Sequence, residues 1–389
     1  MSDSCMHKRF GDIATFSRGL TFAKGDVAED SSKRVLRSNN IDLQSHSLIF
    51  DEIAYLKEDF VIPNEKKLHK GDLFICMSNG STQHLGKVAY VEEDMDYAFG
   101  GFMGAIHPNK DIAFPKYAYY ACLSFEYRRF LASIFNGVNI NNLKWSDLSN
   151  FEIPIPSLDE QMHIVAELDL LTGIIDKQKQ QLKELDTLAQ SIFYDMFGSP
   201  DANEKEWIMK SLAEIGTIVS GSTPSTSDES NWDGDVNWVT PAELGVQLFY
   251  GETQRKITSK AAKSLTIMPI GTLLMSSRAP IGKLAITSVP MCCNQGFKNI
   301  VCGNNVNNIY LYYYLMLNIN SIKAMGRGAT FKEVSKQAVS SFKIMLPPMN
   351  LQESFAKKIQ SIESQKKSIN RSIAESQKLF DYTMDKYFG

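Results

Sequence analysis

Several short stretches have residue types from which catalytic sites are built, and each lacks a part its chemistry requires. An amino-methyltransferase of DNA holds its flipped base with an Asn/Asp-Pro-Pro-Tyr/Phe stretch. The one Pro-Pro here is Pro347-Pro348, in "LPPM". "FGGFMG" (Phe99–Gly104) has the glycines of a cofactor loop, but its later counterpart "NQGFKN" has lost them. "GSTQHLGKV" places five residues between its glycines and Val88 after Lys87, so it fails as a phosphate-cradling loop. Pro200-Asp201 could open a nuclease site, yet no Glu-x-Lys strand follows and "GSPDANEKE" reads as a linker. The six histidines are scattered without a nucleophile partnership that spacing supports. The six cysteines (5, 76, 122, 292, 293 and 302) show no CxxC or Cys/His ligand spacing, as expected for reduced thiols in a cytoplasmic protein without zinc. No catalytic residue, metal site or cofactor is therefore assigned to the chain.

Bulk properties set the outer bounds. A chain of 389 residues, 43% apolar and 22% charged, is long enough for two or three domains with cores of their own. It contains no run of roughly 18 apolar residues that would span a membrane, and "MSDSCMHKRF" has no signal-peptide apolar region. The net charge of −3 is unevenly spread: residues 151–198 hold three basic and nine acidic side chains, residues 342–389 eight and five. No segment is basic enough to demand nucleic acid by charge alone. The acidic and basic segments would attract each other.

Those two segments are also copies. Residue n overlies residue n + 191 without a gap from Asn136 to Gly198, with ten identities that include Phe151/Phe342, Pro156/Pro347, Gln161/Gln352 and Gly198/Gly389. Within each copy the apolar positions step by three and four, the pattern of a helix with one narrow stripe. The first stripe runs Leu168, Leu171, Ile175, Leu182, Leu185, Ala189, Ile192 and Met196. The second has Ile359, Ile362, Ile369, Ile373 and Phe380, ending at Thr383 and Tyr387. Each helix follows a proline-bounded strand end, "FEIPIP" or "FKIMLPP", and runs about 40 residues, or roughly 60 Å. A single stripe needs a partner, and the other copy provides one: the two helices are expected to pair antiparallel about a pseudo-twofold axis.

The segments ahead of the helices rhyme as well. Ile13, Thr15, Gly19 and Thr21 match Ile215, Thr217, Gly221 and Thr223; "LHKGDLFICMSNGSTQHLGKVAYV" matches "MPIGTLLMSSRAPIGKLAIT" as strand, polar loop, Gly-Lys and strand. "GGFMGAI" and "QGFKNIV" share Gly101-Phe102 with Gly296-Phe297. A tyrosine-rich helix follows in each half, whose aromatics crowd every face and so read as core rather than as base-stacking platforms. "LRSNNIDLQSHSLIFDEIAYL" and "VNWVTPAELGVQLFYGETQRKI" share little beyond position. One framework is written twice with different polar surfaces.

Taken together, Phe151–Gln161 with its helix to Gly198, their echo at Phe342–Gly389, and the paired loops resemble the specificity subunit of a type I restriction–modification system. The second copy departs from the first in reading "PPMNLQE" for "PSLDEQ", and the first loop reads "SNGSTQHLGK" where the second has "SRAPIGK". The resemblance implies an α+β chain of two pseudo-twofold-related, mixed α/β target-recognition domains, residues 1–150 and 199–341. The long helices at 151–198 and 342–389 join them as an antiparallel coiled coil. It implies a non-catalytic, sequence-specific subunit that reads a bipartite double-stranded DNA target and docks two methyltransferase subunits on its helices. Restriction (nuclease–translocase) subunits join outside, and S-adenosylmethionine, ATP and magnesium belong to those partners. A subunit of a related fused or stand-alone methylation system, a catalytic methyltransferase or nuclease, and a coiled-coil scaffold are the competing readings.

Base edges are read by Arg or Lys at guanine and Asn or Gln at adenine. In the first half the resemblance points to Arg37, Asn39, Asn40, Asn79, Ser81, Thr82, Lys87, Asn139 and Asn142. In the second it points to Ser222, Thr223, Thr240, Ser277, Arg278, Lys283, Asn294, Gln295, Thr330 and Lys332, with Arg278 and Lys283 foremost. Few spare cations for phosphates imply weak DNA binding by the subunit alone.

Overall fold

The computed structural model describes residues 6–135, 142–245, 247–326 and 333–389; Cys5, Asn139, Thr330 and Lys332 lie outside the described residues. Contacts divide the chain into two units. One runs to Lys177 and takes back Ser372–Gly389; the other is Gln178–Arg371. Both boundaries fall inside a long helix.

In the first unit the strand Leu73–Cys76 is buried along its whole length. Side chains alternate across a strand, so Leu73 and Ile75 face a core with Ile106 and Tyr117, while Phe74 and Cys76 face another with Val91 and Phe99. A strand between two cores must be apolar on both faces, which is why "LFIC" has no polar letter. It belongs to an antiparallel sheet in the order Ala14–Arg18, Met103–Pro108, Leu73–Cys76, Val88–Tyr90. A second sheet is ordered Val27–Ala28, Ala54–Leu56, Lys33–Leu36, Tyr97–Phe99, its last pair parallel. Helices Pro115–Ala121 and Phe125–Phe135 follow the first sheet.

The second unit repeats this plan. Its main sheet runs Gly216–Ser220, Lys298–Cys302, Leu273–Met275, Leu284–Thr287, Phe249–Tyr250. The other runs Arg255–Ile257, Trp232–Val239, Met291–Cys293, again with a parallel last pair. The poorly matched segments of the two halves thus fold alike: Lys33–Leu36 and Trp232–Val239 are the same strand in different letters. The sequence overlay of "GGFMGAI" on "QGFKNIV" slips by one. Ile106 and Ile300 take the same register against Leu73 and Leu273, so Met103 corresponds to Phe297 and Phe102 to Gly296.

Each unit is closed by a ribbon. Met6–Arg9 pairs with Glu152–Ile155, and Met209–Ser211 with Lys343–Met345, both antiparallel. The "FEIPIP" and "FKIMLPP" stretches therefore lead the chain out of the globular part beside the strand that entered it. The tyrosine-rich helices are core, as their composition predicts: Tyr117 and Tyr310 are fully buried and donate to Pro154 O and Met345 O, each at 2.8 Å.

The long helices span Leu158–Phe197 and Met349–Phe388, so the n + 191 relation holds at both ends. Their first turns are fixed by two buried glutamines. Gln161 accepts from Phe114 N at 2.8 Å and donates to Ile112 O and Pro156 O; Gln352 accepts from Asn307 N at 2.9 Å and donates to Asn305 O and Pro347 O. In the first unit Ile164, Val165 and Leu168 share a core with Met384 and Phe388, and Tyr387 donates to Glu167 at 2.8 Å. In the second, Phe193 and Phe197 share a core with Phe355, Ile359 and Ile362, and Lys366 meets Asp186 at 2.8 Å. Start meets end in both, so the helices pair antiparallel. Leu168, Leu171, Ile175, Ile359 and Ile362 are buried; Leu182, Leu185, Ile192, Ile369, Ile373 and Phe380 are partly so. Toward the C-terminal end of each helix burial extends one position beyond the predicted stripe, to Phe193, Phe197, Met384 and Phe388, beside the buried stripe residues Ala189 and Thr383. There the helix packs on a globular core as well as on its partner, which widens the buried face.

Candidate nucleic-acid interface

The polar loops sit at one topological place in both units, after the doubly buried strand. Gly86 and Gly282 close them with φ of 74° and 87°. A Cβ at either would lie 2.4 Å from Leu131 Cδ1 or 2.3 Å from Ile319 Cδ1, so only glycine allows the loop this close to the helix behind it. Each loop base is tied to the segment that leads to the ribbon: Leu143 N donates to Met77 O at 2.7 Å, and Val334 N to Ser277 O at 2.9 Å. Next to these bonds, Ser78 forms an antiparallel bridge with Asn142, and Arg278 with Glu333.

Around this shared place the side chains differ. In the first unit Arg18, Ser78, Phe102, Asn142, Lys144 and Trp145 line a cavity of about 380 Å³. Met77 N and Ser78 N both donate to Phe102 O, and the Phe102 ring is 72% exposed. Sequence reasoning missed Arg18, Lys144 and Phe102; the slipped overlay put Phe102 on the buried Phe297. In the second unit Arg278 donates from Nε to Glu333 Oε2 at 3.0 Å. Glu333 Oε1 meets Lys298 Nζ at 3.1 Å, and Lys298 also reaches Ser277 Oγ at 3.3 Å. Burial would raise the Glu333 carboxyl, but the hydrogen bonds from Lys298 and Arg278 outweigh it and hold it below the ordinary range. Gly104 occupies the place of Lys298 in the first unit.

The structure takes three candidates away from the surface. Asn40 is buried, its Oδ1 accepting from Arg37 N and its Nδ2 donating to Ile49 O and Glu52 O. Glu243 does the same work in the second unit, accepting from Thr240 N, Tyr250 OH and Gln254 N. Lys87 is buried, donates to Ile41 O at 2.8 Å, and has its ammonium pKa pushed down by burial. Ser277 is fully buried beside Lys298. These side chains brace the loops from behind.

The rest reach the surface to different degrees. Arg37, Asn39, Ser81, Thr82, Asn142, Ser222, Thr223, Arg278 and Gln295 are exposed, whereas Asn79, Thr240, Lys283 and Asn294 are half-buried. Asn79 donates to Ser38 Oγ at 3.1 Å, which brings its loop to the turn after Arg37. Thr223 Oγ1 donates to Gln295 Oε1 at 2.6 Å. Lys283 Nζ reaches Ala242 O at 3.4 Å.

One histidine has partners that spacing did not reveal. His107 lies 2.6 Å from Asp72 through Nδ1 and 2.8 Å from Ser17 Oγ through Nε2. Strand register places Val219, Val301 and Thr272 at the corresponding points of the second unit. The frame thus stands with or without this polar line, which ties three segments of the first unit together. The five described cysteines are free, and burial pushes their thiols up, Cys76 and Cys292 to about 11.

Two like units, each bearing a braced polar loop, define a duplicated recognition protein. The sequence profile described as type I restriction modification DNA specificity domain matches residues 3–187 and 204–376, and the chain belongs to that family. It is 39% identical over 158 residues to the type I restriction enzyme MjaIX specificity subunit of Methanocaldococcus jannaschii. That match covers 39% of this chain and 37% of the relative, so it spans little more than a third of either. The putative MjaX specificity subunit of the same organism is 28% identical over 316 residues, covering 75% of this chain and 72% of that one. Among solved structures, the S subunit of a type I restriction–modification system from M. genitalium superposes with a TM-score of 0.62 at 13% identity, over 100% of this chain and 98% of the other. No helix among the described residues is long and apolar enough to cross a membrane.

Proposed function

We propose that this protein is the DNA-reading subunit of a cytoplasmic type I restriction–modification complex and has no catalytic role of its own. Each unit reads one short part of a bipartite duplex target, and the stretch between the parts is unread. The paired helices carry two methyltransferase subunits, and nuclease–translocase subunits join outside them. Those partners supply S-adenosylmethionine, ATP and magnesium chemistry. Arg37, Asn39, Asn79, Ser81, Thr82, Asn142, Ser222, Thr223, Thr240, Arg278, Lys283, Asn294 and Gln295 are the proposed contacts, with Arg18, Lys144 and Phe102 added.

The observation that carries this reading is the contrast at one duplicated place. Ser78, Asn142 and Gly104 in the first unit occupy the positions of Arg278, Glu333 and Lys298 in the second, on a framework that both units share. A fold that merely joined partners would have no need of different donors there, whereas two readers of different half-sites require them. The test is selection of duplexes from a random library by the chain co-purified with its methyltransferase subunits. Two short specified parts separated by an unspecified spacer are expected. A contiguous motif, or none, overturns the reading.

A further inference from the structure

We propose that Arg278 reads a guanine in the part of the target assigned to the second unit, and that Glu333, anchored by Lys298, is the positioning residue that aims it. This rests on the DNA-reading function above and goes further by naming a base, a reader and its brace.

The geometry of the ion pair is the argument. Arg278 gives Glu333 its Nε at 3.0 Å, the inner edge of the guanidinium, and has no other side-chain partner among the described residues. The two terminal nitrogens remain to act together as a planar fork, the arrangement that matches guanine O6 and N7. The carboxylate cannot swing away with the arginine. Its other oxygen holds Lys298 Nζ at 3.1 Å, and that lysine side chain is only 10% exposed and also bonded to Ser277. The backbones of Arg278 and Glu333 are bridged as well, so the base of the side chain and its tip are fixed against the same residue.

Two features favour a base edge over a phosphate. A phosphate contact requires charge more than direction, and Glu333 diminishes the charge while improving the direction. A backbone clamp would also serve both units, since phosphates carry no sequence, yet the first unit has Ser78, Asn142 and Gly104 at these points.

The experiment compares the wild-type chain, Arg278→Ala, Arg278→Lys and Glu333→Gln, each co-purified with its methyltransferase subunits, in the random-duplex selection. Competition with single-base-pair variants of the selected duplex follows. Wild type is expected to specify a G·C pair in one part. Arg278→Ala and Arg278→Lys should each reduce discrimination at that pair by roughly 10- to 100-fold and leave the other part unchanged. Glu333→Gln should erode preference at the same pair. A merely structural role for Glu333 would instead lower affinity for all duplexes alike, and that result overturns its positioning role. Uniform weakening by Arg278→Ala, with a salt dependence reduced by about one phosphate contact, would make Arg278 a phosphate ligand and overturn the assignment. An unchanged motif in every variant overturns it too. Failure of the wild type to select any two-part motif sinks the function itself, a result distinct from the others.

Discussion

Gln161 and Gln352, 191 positions apart, make the same three hydrogen bonds. Each accepts one backbone N–H at the start of a tyrosine-rich helix, Phe114 at 2.8 Å or Asn307 at 2.9 Å. Each donates to the proline that precedes its own long helix, Pro156 at 2.9 Å or Pro347 at 2.7 Å, and to one more carbonyl. Both are fully buried. The pair therefore sets the angle at which a long helix leaves a globular unit.

Gln161→Glu tests this. The carboxylate can still accept from Phe114 but cannot donate, so Ile112 O and Pro156 O would face a buried negative charge. A loss of about 2 kcal/mol or more is expected in urea unfolding, with Gln161→Ala losing less because it buries no charge. Gln352→Glu should behave alike. An unfolding midpoint that does not move would show that the glutamine is a bystander.

These glutamines were legible as a repeat and not as a joint, and the contrast shows what letters carry. The n + 191 relation showed two equivalent helices of about 40 residues because helical periodicity and proline punctuation are local signals. Burial at Phe193, Phe197, Met384 and Phe388 was missed, since it depends on a globular core that the heptad pattern knows nothing of. The loops were harder still. Asn40 and Glu243 brace equivalent turns with unlike side chains, so no overlay of letters could pair them. Lys87 reads as an exposed Gly-Lys loop residue and is buried because a carbonyl, Ile41 O, waits for it. The Arg278–Glu333 pair spans 55 residues and is set by strand register alone.

Phe102 lies at the cavity with Arg18, Asn142 and Lys144, and its ring is 72% exposed. An exposed ring held on a bonded loop suits contact with a nucleotide better than it suits stability. Phe102→Ala should change folding stability by less than about 0.5 kcal/mol. Affinity for the selected duplex should fall roughly tenfold, the scale of one base–aromatic contact. Fluorescence anisotropy on the target duplex decides it, and equal affinities would remove Phe102 from the interface.

The Glu333 clamp also predicts a pH dependence. Its folded carboxyl is held below the ordinary value of 4.5 by Lys298 and Arg278, against the opposing effect of burial. A group depressed on folding contributes stability that is complete above its unfolded value and disappears as pH falls through its folded one. Wild type should therefore melt higher than Glu333→Gln from neutral pH down to about 4.5. Below that the two curves should converge. A difference in melting temperature that persists unchanged to lower pH would mean that charge on Glu333 is not what holds the loop.

The two long helices make the last prediction. Each runs 40 residues without a break and contributes one end to each unit; if the proposed function holds, helix length is expected to set the length of the unread spacer. One turn, four residues, added between Lys177 and Gln178 and again between Arg371 and Ser372 would lengthen each by about 6 Å. The insertions are matched, and a four-residue insertion is absorbed by local unwinding of the pair. At about 3.4 Å per base pair, the unread spacer should grow by one or two base pairs while both specified parts stay as they were. Methylome sequencing of cells that carry the lengthened chain with its methyltransferase subunits reads this directly. A spacer of unchanged length would show that the partners, not these helices, hold the two readers apart.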